Sequence, residues 1–203
     1  PTATASRPSC TTGCASPGSP DAVGSLTDTH CHLNLNSLAD DLAPVLARAW
    51  ERGVERILVP GVDLETTRLA IAIAESDPRL YAAAGLHPSY AAAWTGATLA
   101  ALSELARHPK VVAIGEIGLD YYRDHAPREL QREAFQAQLG LAAEVGKPVS
   151  IHIREAWADV WAALSAWHAG LVESGSPLAV RPGVLHSFSG TPAEAQAALA
   201  RGF

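Results

Sequence analysis

Apolar residues along the chain alternate between two patterns, short continuous runs and longer stretches with helical spacing. The continuous runs predict six β strands, at Leu26–Leu33, Arg56–Val62, Leu80–Leu86, Val111–Gly118, Pro148–Ile153 and Gly183–Phe188. Most of the intervals place apolar residues three or four positions apart and predict helices, at Asp40–Arg52, Leu99–Ala106, Arg128–Val145, Trp157–Trp167 and from Thr191 onward. Strands that alternate with helices predict an α/β fold built on a parallel sheet.

The six predicted β/α units leave two folds open. A closed (β/α)8 barrel takes about 250 residues, so residues 26–203 suit a TIM-type barrel that is truncated after about six units. A complete doubly wound α/β fold has the same periodicity. The hydrophobic pattern alone does not choose between them.

Two segments are expected to lie outside these units. Residues 1–25 are rich in Ser, Thr, Pro, Ala and Gly, which cannot form a packed core, and they predict a disordered leader. The stretch from Trp167 to Pro177 contains Gly and Ser and predicts a flexible surface loop. Residues 26–203 are therefore the predicted folded domain.

Composition narrows the functional classes. The formal net charge is −6, which is unlike a protein that coats nucleic acid with a broad basic surface. No apolar run approaches the ~20 residues that span a bilayer, and the start of the chain has no secretory signal. Three cysteines require no oxidising compartment. We expect a cytoplasmic protein with no membrane contact and no stable protein partner.

Candidate metal ligands follow the predicted strands. His30 and His32 are two positions apart, so a strand would place both imidazoles on one face and Cys31 on the other. A His-x-His pair in this arrangement can chelate a divalent cation. Taken alone, however, the pair is better explained as two polar residues at a strand end.

Further side chains of the same kind follow the later strands. Glu116 lies between two glycines, and His152 and His186 end the fifth and sixth strands. Because the carboxyl ends of parallel strands converge in a barrel, these residues are expected to share one pocket. His87 precedes Pro88 and is either a pocket residue or a turn residue. His108, His125 and His168 receive no predicted role.

The motifs together resemble the TatD family of metal-dependent hydrolases, within the amidohydrolase-like group of barrels. The matching segments are DTHCHL at 28–33, GLHP at 85–88, GEIGLDYYR at 115–123, GKPVSIHIREA at 146–156 and GVLHSFSG at 183–190. The resemblance runs from about Leu26 to Phe203 and implies a (β/α)8 barrel.

The resemblance also implies an activity and a ligand set. It implies hydrolysis of phosphodiester bonds, with DNA as the substrate and a 3′–5′ exonuclease-like action. Two divalent cations, Mg, Mn or Zn, are expected, with His30 and His32 on the first, His152 and His186 on the second and Glu116 as the catalytic bridge. Weaker correspondences assign substrate-side or supporting roles to His87, Asp120, Tyr121, Arg123 and Arg154.

One feature departs from the family pattern. The family's last metal ligand and expected general base is an Asp on a late strand, whereas no Asp follows His186 here. We therefore expect the 203-residue chain by itself to be a fragment with little or no turnover. Two other functions stay open: an amidohydrolase-like enzyme for a small ester, lactone or amide, and a non-catalytic metal-binding protein.

Overall fold

The computed structural model describes residues 25–35, 41–123 and 125–203. Six strands lie in these residues: β1 (Leu26–Asp28), β2 (Val54–Pro60), β3 (Leu80–Ala84), β4 (Val111–Asp120), β5 (Val149–Arg154) and β6 (Gly183–Leu185). All neighbouring pairs are parallel, and the strands follow chain order across the sheet. A doubly wound sheet would reverse its order at a switch point. The observed order is that of a (β/α)8 barrel.

Helices alternate with these strands. They are α1 (Leu42–Glu51), α2 (Leu64–Glu75), α3 (Gly96–Ala106), α4 (Arg128–Val145), α5 (Trp157–Glu173) and α6 (Pro192–Leu199), with short 3₁₀ helices at Pro88–Ala93 and Pro177–Ala179. Among the described residues, no helix combines the length and apolar character needed to cross a membrane. The predicted disordered leader lies outside the described residues except for Ser25, which is exposed.

Two strands that carry site residues are shorter than predicted. β1 ends at Asp28 because the Asp28 carboxylate accepts the backbone N–H of His30 at 3.0 Å, which turns the chain out of the ladder. β6 ends at Leu185, although the His186 N–H still donates to the Ile151 carbonyl at 3.1 Å. The histidines therefore lie just beyond the strands.

The predicted loop from Trp167 to Pro177 is wrong over most of its length. Helix α5 continues to Glu173, past Gly170. Leu171 lies seven residues after Leu164, on the same face of the helix, and both are buried. Burial of a second leucine outweighs the modest cost of a glycine in the helix.

Helix α2 was not predicted, since its buried face consists mostly of small residues, Thr67, Ala70 and Ala74, with Ile71 as its one large apolar residue. It begins with a capping box, in which the Asp63 side chain accepts the Thr66 N–H and the Thr66 hydroxyl accepts the Asp63 N–H. Asp63 followed three residues later by a hydroxyl residue was the sequence signal for this start. By contrast, α4 has the predicted bounds and ends at Gly146, which adopts the left-handed conformation with φ of 66°.

The main core lies between the sheet and the helices around it. Phe135 and Leu139 of α4 share one buried cluster with Ile117 and Leu119 of β4. A second cluster joins β2 and β3 to α1 and α2 around residues such as Val59. Burial on this scale holds the strands at fixed spacing. The carboxyl ends of the strands, where the predicted ligands occur, consequently meet at one edge of the sheet.

Candidate metal centre

The Glu116 carboxylate is the centre of the candidate site, and five imidazoles surround it. Its Oε2 atom is 3.3 Å from His30 Nε2 and 3.3 Å from His32 Nε2. Its Oε1 atom faces the other three rings, at 2.7 Å from His186 Nε2, 3.0 Å from His152 Nδ1 and 3.4 Å from His87 Nε2. The two oxygens of one buried carboxylate thus face two separate sets of nitrogen atoms.

Strand β4 presents this carboxylate by way of an irregularity and two glycines. The β4–β5 register shifts between Ile114 and Ile117, so Glu116 lies where the ladder is interrupted. A Cβ atom on Gly118 would lie 2.0 Å from the His152 carbonyl oxygen, and one on Gly115 would lie 2.8 Å from Ser150. Only glycine at these positions lets β4 approach β5 closely enough to place Glu116 beside His152.

The first pair of rings is held by contacts with two strands. The segment after β1 stays beside β2, because the Cys31 N–H donates to the Leu58 carbonyl at 3.0 Å. His30 Nδ1 is 3.2 Å from the Ser150 hydroxyl of β5, and His30 Nε2 is 3.2 Å from His32 Nε2. His30 therefore points Nε2 toward Glu116 while Ser150 contacts its other nitrogen.

His152 is oriented by a buried carboxylate. Its Nε2 atom is 3.0 Å from Asp120 Oδ2. Asp120 is itself held, since its Oδ1 atom accepts the backbone N–H groups of Tyr122 and Arg123 at 3.1 and 2.9 Å. Because an ionised carboxylate can only accept, Asp120 favours the tautomer of His152 that carries its proton on Nε2 and offers Nδ1 to a cation beside Glu116.

Burial and hydrogen bonds set the charge state of the acids. Burial disfavours the charged form of Glu116, but hydrogen bonds from His152, His186 and the other rings outweigh it and hold its pKa well below the usual range. Burial likewise opposes ionisation of Asp120, yet the Arg123 N–H and His152 lower its pKa. Both groups are therefore carboxylates at neutral pH.

His87 is both a pocket residue and a turn residue, so the two sequence interpretations are compatible. Its Nδ1 atom accepts the Ser89 N–H at 3.1 Å and caps the 3₁₀ helix that follows. Its Nε2 atom points at Glu116. Burial lowers the pKa of His87 and of His30, which makes both rings neutral. Since Nδ1 of His87 is an acceptor, its proton lies on Nε2.

The carboxylate and four of the five rings, those of His32, His87, His152 and His186, line a cavity of about 400 Å³. Arg123 also lines it, with the Nε atom 3.9 Å from Asp120 Oδ2. Tyr90 and His125 line it as well, although sequence reasoning gave neither a role. Lone loop residues such as these carry no periodic signal, and only the proximity of GLHP to Tyr90 could have suggested it.

Two other predicted site residues point elsewhere. The Tyr121 hydroxyl lies 2.5 Å from Asp159 Oδ2 on α5. The Arg154 guanidinium stacks on the ring of Tyr122, 3.9 Å from its centroid. Neither side chain lines the cavity in the part of the chain that the structure describes. A role in substrate contact stays a prediction for both.

The donor set fits divalent cations. The candidate ligand atoms of His30, His32 and Glu116 all lie within 4.8 Å of one another, as do those of His87, Glu116 and His152. Two imidazole nitrogens 3.2 Å apart that also face a carboxylate are well satisfied by one shared cation. Imidazole-rich ligation suits Zn or Mn, whereas Mg prefers oxygen. His30, His32, Glu116, His152 and His186 would hold the cations.

Comparison with known proteins identifies the family. The model of the TatD related DNase family matches residues 27–203. The chain belongs to the TatD family. The match begins at the second residue of β1, continues through β6 and includes every residue of the candidate centre.

Individual TatD relatives are similar over most of the chain. It is 42% identical over 166 residues to the metal-dependent hydrolase YabD of Bacillus subtilis, covering 82% of this chain and 62% of that protein. It is 39% identical over 176 residues to the 3′–5′ ssDNA/RNA exonuclease TatD of Shigella flexneri, covering 86% and 64%. The chain therefore spans less than two thirds of the length of these relatives.

Solved structures show the same architecture. The TatD homologue YjjV of Escherichia coli superposes with a TM-score of 0.74 at 34% identity, over 87% of this chain and 65% of that one. An amidohydrolase from Saccharomyces cerevisiae has a TM-score of 0.71 at 22% identity, over the same shares of each chain. The second likeness concerns the fold alone.

Proposed function

We propose that this centre belongs to a two-metal phosphodiesterase that acts on DNA, with a 3′–5′ exonuclease-like action. The proposal rests on the orientation of the Glu116 carboxylate. Its Oε2 atom faces His30 and His32, whereas its Oε1 atom faces His152 and His186. A carboxylate divided in this way is suited to bridge two cations. The nucleic-acid substrate is supported by the name of the Shigella flexneri relative.

Neighbouring side chains determine which ring nitrogens carry a proton and which are available to a cation. Asp120 holds the His152 proton on Nε2 and leaves Nδ1 for a cation. Bound divalent cations would supply positive charge to the phosphodiester and make water acidic enough to react at neutral pH. This supply of charge is needed because the chain carries a formal net charge of −6.

His87 is proposed to contact the substrate rather than a cation. The Ser89 N–H occupies the lone pair on Nδ1, so Nε2 carries a proton and is a hydrogen-bond donor. A donor is suited to a phosphate oxygen and unsuited to a metal ion. Arg123 lines the same cavity, and its guanidinium can make a second contact with phosphate.

A metal titration tests the ligand assignment. Calorimetry with Mn²⁺ should show two ions per chain, and Glu116→Gln should weaken both by at least about tenfold, because the amide loses the bridging charge. His108→Gln is the matched control, since His108 lies 3.4 Å from Glu75 and far from this centre in the chain's fold. Unchanged Mn²⁺ binding by Glu116→Gln would remove the basis of the proposal.

Binding also tests the substrate, and it suits a chain that spans less than two thirds of the length of its relatives. With Mn²⁺ present, a fluorescent single-stranded oligonucleotide should bind with clear salt dependence and be displaced by inorganic phosphate. A parallel panel of small esters, lactones and amides should show no hydrolysis. Ester or lactone hydrolysis without oligonucleotide binding would favour the amidohydrolase-like alternative.

A further inference from the structure

Two buried glutamines lie on α4, a helix outside the ring of histidines. Gln131 and Gln138 are 1% and 0% exposed, which is unusual for this residue type. They are seven residues apart and therefore lie on the same face of the helix, two turns from each other. Neither residue lines the metal cavity. Buried amides of this kind need a full set of hydrogen-bond partners.

Gln138 uses its amide to hold the backbone of Leu86. Its Oε1 atom accepts the Leu86 N–H at 2.7 Å, and its Nε2 atom donates to the Leu86 carbonyl at 3.1 Å. Strand β3 ends at Ala84, so Leu86 has left the ladder. Leu86 is the residue immediately before His87, whose side chain faces Glu116. The Gln138 amide thus takes the place of a neighbouring strand at this position.

Gln131 holds the backbone of Asp120 in the same way. Its Oε1 atom accepts the Asp120 N–H at 2.9 Å, and its Nε2 atom donates to the carbonyl oxygens of Asp120 at 3.1 Å and of Ala126 at 2.9 Å. Asp120 is the last residue of β4. Its side chain orients His152. The second amide therefore holds the residue that sets the proton position on a candidate ligand.

We propose that Gln131 and Gln138 are positioning residues with two separate targets. Gln131 acts through Asp120 and His152 on cation binding, and Gln138 acts through Leu86 and His87 on phosphate binding. This inference rests on the proposed function, because it takes His152 as a metal ligand and His87 as a hydrogen-bond donor to phosphate. Through these two amides, one outer helix sets the geometry of two inner side chains.

Methionine substitutions separate this role from general support of the fold. Gln131→Met and Gln138→Met keep the length of the side chain and the helix propensity but remove every amide hydrogen bond. Both variants lose comparable contacts, so a purely structural role would make them behave alike. The positioning role predicts that the two variants lose affinity for different ligands. Leu139→Ala is the control. Leu139 is buried on the same helix, and its apolar side chain cannot hydrogen-bond to Leu86 or Asp120.

The experiment measures Mn²⁺ affinity by calorimetry, then inorganic phosphate affinity of the Mn²⁺-loaded 203-residue chain. Gln131→Met should weaken Mn²⁺ binding about tenfold, the lower end of the effect of losing an outer-shell partner. Gln138→Met should leave Mn²⁺ affinity within about twofold and weaken phosphate about tenfold, the effect of one lost hydrogen bond to a charged group. Leu139→Ala should lower the melting temperature and change neither affinity.

Parallel losses of both affinities in the two glutamine variants, matching those of Leu139→Ala, would overturn the inference. Failure of wild-type protein to bind Mn²⁺ would instead contradict the proposed function. If a variant does not fold, backbone hydrogen exchange of the wild-type protein tests the inference instead. The amides of Leu86 and Asp120 should exchange as slowly as those of the core strands, and exchange at loop rates would also overturn the inference.

Discussion

Hydrogen bonds at single residues decide which nitrogen of each imidazole is available. His152 has Asp120 behind it, His30 has Ser150 and His87 has the Ser89 N–H. These partners distinguish rings that look alike in the sequence. The sequence motifs predicted the rings themselves, but the partners come from segments up to 120 residues away along the chain.

Ser150→Ala provides a test at this scale. Ser150 is buried, and its hydroxyl lies 3.2 Å from His30 Nδ1, which leaves Nε2 directed at Glu116. Without this partner, the Mn²⁺ binding event at His30 and His32 should lose about tenfold in affinity, because His30 loses its fixed orientation. Calorimetry measures both events, and the His152–His186 event should stay within about twofold.

Ser150→Cys is the companion variant. It keeps a weak acceptor at the same position and should give an intermediate loss. Equal weakening of both binding events in Ser150→Ala would show that the hydroxyl supports the whole site and not the His30–His32 pair.

At the scale of elements, the hydrophobic pattern was most reliable where packing and local preference agree. The bounds of α4 were predicted correctly because a long apolar stripe ends at a glycine that adopts a left-handed conformation. The pattern missed α2 and the last six residues of α5. In α5, Leu171 packs against the core and continues the helix beyond Gly170.

A lysine at the start of β5 supplies an element-scale prediction. The Lys147 ammonium donates to the carbonyl oxygens of Ala106, at the end of α3, and of Val111, at the start of β4. Burial lowers its pKa, and the ammonium satisfies the last carbonyls of the helix. Lys147→Met should reduce the free energy of unfolding by about 1–3 kcal/mol, because these carbonyls lose their donor.

Urea denaturation measures this loss, and Arg107→Met is its control. Arg107 pairs with Glu144 at 2.7 Å, but both side chains are mostly exposed, at 59% and 61%. Such a surface pair contributes less than about 1 kcal/mol. Equal effects of the two substitutions would mean that Lys147 acts only as a surface charge.

At the scale of the whole molecule, the sheet order decides the fold. Alternating strands and helices were compatible with a barrel and with a doubly wound sheet. The strands run from β1 to β6 in chain order without a reversal, and a barrel brings their carboxyl ends around one axis. His30 lies near the start of the domain. This convergence stacks its ring on that of His186, with the two ring centroids 3.8 Å apart.

Cations that join distant strands should stabilise the whole molecule. Glu116, His30, His152 and His186 come from four strands or strand exits, so Mn²⁺ binds the folded chain in preference to the unfolded one. At one hundred times the dissociation constant the gain is about 2.7 kcal/mol, which raises the melting temperature by roughly 5–10 °C. Thermal unfolding with Mn²⁺ and then with excess EDTA measures it.

Glu116→Gln should show a much smaller rise in melting temperature, since it lacks the charge between the two sets of nitrogens. An equal rise in wild type and variant would place the stabilising cation elsewhere on the molecule.

The sequence by itself determined the class of fold, the family and the identities of Glu116 and the histidines around it. The fold class follows from local spacing, because a strand or helix imposes its period on neighbouring residues. The family follows from the resemblance of the motifs. Only the tertiary structure decided that Glu116 divides its two oxygens between two sets of nitrogens and that His87 faces the same carboxylate. Such contacts join residues far apart in the chain, and no local period encodes which atoms meet.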